Sequence, residues 1–158
     1  MMKEMIGDLF AIASAAYEKR HYKKELKLFL DSARSGDVDS MVMLGVMYGS
    51  GRGVEIDFKK SIEWDEKAAA AGSASALLNL GITYRTIGDS VKAKHWFEKS
   101  LDAGGVEAAL NLAKMYMISE LEIEKINKYL DIVINSRDAL EITRTEAVEL
   151  LKYLSIKQ

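Results

Sequence analysis

A small set of residues returns along this chain at spacings of 36 and 32 residues, and a period of that length restricts the fold more than any other feature. Leu44, Gly45 and Tyr48 return as Leu80, Gly81 and Tyr84, and again as Leu112, Ala113 and Tyr116. Trp64 returns as Trp96, and Gly72 as Gly104. One unit of this size cannot bury its own apolar face, so neighbouring units must stack and share a core. Inside the units the apolar residues keep helical spacing, as in Phe10, Ala13 and Tyr17, then Leu26, Phe29, Leu30 and Ala33. The chain has no proline, and its glycines gather at recurring breaks. Long helices ended by glycine turns follow, and a sheet-rich fold does not.

Read in order, the chain divides into units at about 5–36, 37–72, 73–104 and 105–136, with a final segment at 137–158, all in a single repeat domain. In the first unit, Lys19-Arg-His-Tyr-Lys-Lys24 reads as a solvated turn. In the second, Asp37 or Asp39 can cap the helix that carries Met41, Leu44 and Tyr48, because a carboxylate there accepts from free backbone N–H groups. Gly45 lies on the same face and lets a neighbouring helix come close. Gly49-Ser-Gly-Arg-Gly53 breaks that helix, and Asp57 caps the next, which buries Ile62, Trp64, Ala68 and Ala69. The third unit has a shorter loop, Arg85 to Asp89, with Asp89 as cap and Ala93, Trp96, Phe97 and Leu101 as the buried stripe. In the fourth, Ser119-Glu-Leu-Glu122 reads as a capping box before Ile123, Ile126, Tyr129, Leu130 and Val133. Thr143-Arg-Thr-Glu146 reads as a second box before an amphipathic helix with Val148, Leu151 and Leu154, a C-terminal capping helix for the array.

Composition excludes several function classes. A net charge of −2 gives no basic field for nucleic acid. There is no Cys, hence no disulfide frame and no thiolate site. No apolar run has the length of a membrane span, and Glu4 and Asp8 interrupt the N-terminal segment, so no membrane contact and a cytoplasmic location are expected. His21 and His95 fall in different units, too far apart for a metal site. Gly49 to Gly53 lacks the Gly-Lys-Ser/Thr ending of a nucleotide loop. Trp64 and Trp96 recur together and read as core. No nucleophile–base grouping stands out, so the chain reads as non-enzymatic, without cofactor.

The second unit, with Leu44, Gly45, Tyr48, Gly51, Gly53, Val54, Asp57, Trp64, Ala68, Ala69 and Gly72, resembles the Sel1-like repeat nearly throughout. The third lacks the Gly-x-Gly-Val loop and is similar to the related tetratricopeptide repeat, with Leu80, Gly81, Tyr84, Ala93 and Phe97. The first and fourth units match in outline. The resemblance implies an all-α, right-handed superhelix of antiparallel helix pairs (an α/α solenoid) that acts as a protein-binding scaffold. Family members include adaptors in signalling and assembly, and small bacterial immunity proteins that bind and block a secreted toxin.

In such arrays the first helix of each pair lines a concave groove. Opposite the Leu-Gly-Tyr face, the first unit offers Ile12, Ala15 and Lys19, and the second offers Met43, Val46 and Ser50. The third offers Asn79, Ile82 and Thr86, with Arg85 at the rim. The fourth offers Asn111, Lys114 and Ile118, with Met117 at the rim. Apolar residues in the middle and polar ones at the flanks suit an apolar anchor with a polar surround. The expected function is therefore a scaffold that grips one protein partner in this groove, foremost an immunity or toxin-inhibitor type. A signalling or assembly adaptor and a self-associating structural piece are the alternatives, and a monomer is favoured over the last.

Overall fold

The computed structural model describes residues 21–119 and 122–156. Eight helices and no strand occur among them. Helix α1 is already formed at residue 21 and continues to residue 34. It is followed by α2 (Val38–Ser50), α3 (Phe58–Ala70), α4 (Ala74–Thr86), α5 (Ser90–Asp102), α6 (Glu107–Ser119), α7 (Ile123–Asn135) and α8 (Glu141–Ile156). The fold is an all-α solenoid of helix pairs: α2 packs on α3, α4 on α5 and α6 on α7. The expected stripe Phe10, Ala13 and Tyr17 lies outside the described residues. The expected capping box at 119–122 is not formed as read: Ser119 ends α6, Glu120 and Leu121 lie outside the described residues, and Glu122 precedes α7 without a side-chain cap bond.

The described residues fall into two compact units that divide between Ala71 and Gly72. In the first, Leu44, Met47 and Ala68 are buried between α2 and α3. Gly45 is where the two helices touch: a Cβ there would run into the carboxylate of Asp65, which is itself fully buried. The Ser61 hydroxyl donates to the Gly45 carbonyl at 2.8 Å, a buried polar link between the same helices. After α2, Gly53 holds φ 74° with the Tyr22 side chain of α1 against its Cα, so both conformation and space require glycine. The Arg52 guanidinium lies over the Tyr22 ring, 4.8 Å from its centroid.

In the second unit Phe97 takes the place that Asp65 has in the first. Its ring is fully buried and lies against Gly81 as the Asp65 carboxylate lies against Gly45. Ala93, Phe97, Ala108, Leu112 and Met115 form one cluster joining α5 and α6. Ala109, Ala113, Tyr116, Ile126, Leu130 and Val133 form a larger one with Ala147 and Leu154 of α8. Helix α8 thus packs on α7 and α6. Its inward face is Thr143, Ala147, Leu150, Leu151 and Leu154, while Ile142 and Ile156 are exposed.

Each pair is closed at its tip by the same three groups. Asp57 caps α3 by accepting from the Lys60 amide at 3.0 Å, and Asp89 caps α5 from the Lys92 amide at 3.0 Å. The backbone N–H of each cap donates to the carbonyl of Tyr48 or Tyr84, at 2.9 Å in both pairs. The ammonium of Lys60 then bridges Asp57 (3.0 Å) and the Tyr48 ring (5.2 Å). Lys92 does the same with Asp89 (3.3 Å) and Tyr84 (5.0 Å), and Lys125 with Glu122 (2.7 Å) and Tyr116 (4.8 Å). A carboxylate–ammonium–aromatic sandwich holds the second helix to the first at the point where the chain reverses. The alternative left open at α2 resolves to Asp37, which accepts from the Ser40 amide at 3.0 Å.

Four further expectations are corrected. Residues 21–24 are helical, not a turn; the segment contains no Gly, Pro or Asn to break a helix, and Tyr22 is anchored on Gly53. Helix α8 begins at Glu141, so Thr143 is a buried first-turn residue and not a cap. Arg144 reaches back instead, donating to the carbonyl of Ser136 at 2.8 Å and of Ala139 at 3.3 Å. Ile123 is exposed and not part of the packing face. Trp64 and Trp96 are only half-buried. One helical step carries them off the face held by Asp65 and Phe97, out to where Lys67 (4.2 Å) and Lys99 (4.6 Å) cover their rings.

The caps set an acid-side pH dependence. Backbone and side-chain hydrogen bonds from Lys60 hold the Asp57 carboxyl below its usual range, the Lys92 amide does so for Asp89, and Ser40 for Asp37. A carboxyl that is more acidic folded than unfolded stabilises the fold above its unfolded pKa, and the gain disappears as pH falls through the folded value. The thermal midpoint should therefore fall on acidification below about pH 4. Asp57→Asn and Asp89→Asn, which cap without titrating, should make that fall shallower. An unchanged acid limb in the double variant would remove the caps as its source.

Candidate functional site

In the first unit, Val46 and Ser50 are exposed and Met43 is half-buried on α2. The Ser50 hydroxyl donates to the Val46 carbonyl at 2.7 Å, so it serves its own helix end. Ile12, Ala15 and Lys19 lie outside the described residues.

The second unit carries the remaining candidates. On α4, Asn79 is half-buried, while Ile82, Arg85 and Thr86 are exposed. The Thr86 hydroxyl donates to the Ile82 carbonyl at 2.8 Å. On α6, Asn111, Lys114 and Met117 are half-buried and Ile118 is 87% exposed. Met117 packs partly on the core. Two of these residues meet directly: the Arg85 guanidinium donates to Asn111 Oδ1 at 2.5 Å, while Asn111 Nδ2 donates back to the Glu107 carbonyl at 2.9 Å. This bridge joins one first helix to the next and fixes the Arg85 head group, which also lies 5.8 Å from the Phe97 ring. None of the candidates among the described residues is fully buried.

A third first-type helix enters this arrangement through α8. Lys114 pairs with Glu146 at 2.6 Å, both groups being partly exposed. Sequence reasoning assigned Glu146 to a capping box and missed this partner. The signal was present, since Glu146 stands about one repeat length beyond Lys114. The lysines of the hairpin tips were missed too, although Asp57 to Lys60 and Asp89 to Lys92 repeat the same spacing. Among the described residues no group of three His, Asp or Glu has the arrangement of a metal site. No helix among them is long and apolar enough to cross a membrane.

The model of the Sel1 repeat matches residues 38–73 and 74–105, which are the α2–α3 and α4–α5 pairs. Residues 38–105 thus carry two copies of the Sel1 repeat. Solved structures with the same fold include a protective antigen of uropathogenic Escherichia coli displaying an SLR fold, 23% identical, with a TM-score of 0.61 over 84% of this chain. A Sel1 repeat protein from Oxalobacter formigenes is 24% identical, with a TM-score of 0.57 over 70% of this chain. The chain spans 33% of the first protein and 49% of the second. No curated protein matches the sequence. Sel1 repeats form protein–protein interaction scaffolds. Beyond the two matched repeats, α6 and α7 keep the same internal order, with Leu112, Ala113 and Tyr116 buried where Leu80, Gly81 and Tyr84 stand one repeat earlier.

Proposed function

We propose that this chain is a Sel1-like repeat protein throughout and serves as a non-catalytic scaffold that holds a polypeptide partner against the first-helix face of its second unit. The observation that carries this is the Arg85–Asn111 bridge. It ties α4 to α6, and apolar side chains are exposed on both helices, Ile82 (37%) one turn before Arg85 and Ile118 (87%) two turns after Asn111. Exposed aliphatic side chains beside an ordered polar group suit a partner's apolar anchor with a hydrogen-bonded surround. Asn79, Thr86, Lys114 and Met117 are the further proposed partner contacts in the second unit, and Met43, Val46 and Ser50 are those proposed in the first. Within the family's range the inhibitory role, binding and silencing a toxin-like protein, is the specific form we put forward. It requires that the captured partner lose its own activity.

The test is capture of the partner from the source cell with the wild-type chain, identification by mass spectrometry, and titration of the purified pair. Ile82→Asp and Ile118→Asp should each weaken that pair by at least roughly tenfold. Their thermal midpoints should stay at the parent value, because neither side chain belongs to the core. Undiminished binding by both variants would move the partner to another face. A partner that remains fully active when bound would replace inhibition by the adaptor role.

A further inference from the structure

On α4 and α6 the first-helix face carries two cations, Arg85 and Lys114, and they are held differently. Lys114 of α6 receives a carboxylate from the helix that follows, Glu146 of α8, at 2.6 Å. Arg85 of α4 meets only a neutral amide oxygen, that of Asn111, and the Phe97 ring among the described residues. A guanidinium has five N–H donors in a planar fork, and the single bond to Asn111 leaves most of the fork open. The Asn111 bond also fixes its direction, which lowers the entropy lost when a second acceptor arrives. One helical turn before Arg85, Ile82 stands exposed, so the open fork and an aliphatic surface lie side by side.

Resting on the protein-binding role proposed above, we infer that the partner segment presents an Asp or Glu side chain to Arg85 and an aliphatic side chain to Ile82. The Glu146–Lys114 pair is the internal precedent: a helix delivers a carboxylate to a cation of this same face. The carboxylate completes the fork that Asn111 leaves open, and Asn111 remains the second group that holds the guanidinium. Lys114 is already neutralised, so the charge requirement of the partner is concentrated at one position.

The inference is tested with a displayed library of random dodecapeptides, each fused through its C-terminus so that no free terminal carboxylate is present. The library is selected in parallel against the full wild-type chain, Arg85→Gln and Lys114→Gln. The expected result is enrichment on the wild type of sequences with an acidic residue next to a Leu, Ile or Val. That acidic preference should vanish on Arg85→Gln and persist on Lys114→Gln. A selected peptide made synthetically with an amidated C-terminus should bind roughly tenfold more weakly when its acidic residue is changed to the amide. Enrichment of sequences without acidic residues, or an acidic preference unaffected by Arg85→Gln, overturns the inference and leaves the binding face intact. No enrichment on the wild type overturns the binding face itself.

Discussion

Phe97→Ala should lower the unfolding free energy by about 3–5 kcal/mol. The ring is fully buried, and it touches the α4 backbone at Gly81 while sharing a cluster with Ala108, Leu112 and Met115 of α6. Removing it leaves a cavity between two helix pairs. The surrounding alanines are too small to fill that space, and the α4 backbone already lies against α5. Trp96→Ala, by contrast, removes a half-buried ring at the helix flank, covered on one side by Lys99. It should cost less than half as much, despite the larger side chain. Urea unfolding of the two variants followed by circular dichroism decides the order. If Trp96→Ala were the more damaging, the assignment of the inner face of α5 would be reversed.

The second large effect is a coupling. A Cβ on Gly81 would fall within contact-breaking distance of the Phe97 ring. Gly81→Ala should therefore cost about 1–3 kcal/mol through overpacking, against a helix-propensity gain of about 1 kcal/mol. In the Phe97→Ala background the same methyl group enters vacated space, and only the propensity gain remains. The double variant should be more stable than Phe97→Ala alone, and the interaction energy between the sites should exceed their experimental error several-fold. Equal effects of Gly81→Ala in both backgrounds would show that the two residues are not in contact.

The matching position in the first unit raises a different chemistry with the same geometry. Gly45 meets the Asp65 carboxylate where Gly81 meets a ring, and Ser61 replaces Ala93 one turn earlier. The small residue of the first helix is thus retained while its neighbour changes from apolar to ionisable. Backbone closeness, not the character of the inserted group, is the common requirement.

Much of this was legible in the chain. The recurrence of Leu44, Gly45 and Tyr48 fixes the helical repeat, because only stacked units can bury a face that returns at that period. Asp57 and Asp89 mark helix starts, since a carboxylate before a helical run satisfies free N–H groups from within four residues. These are local or periodic effects, and a sequence records them directly. The tertiary structure alone decided which of two adjacent aromatic residues, Trp96 or Phe97, faces inward. A single residue step turns a helix by about 100°, and both side chains are apolar enough to fill the core. It alone brought Arg85 to Asn111, because side chains 26 residues apart meet only after the helices between them have folded back. The open side of the Arg85 fork belongs to that second class: the residue is visible in the sequence, but that it meets no carboxylate among the described residues is not.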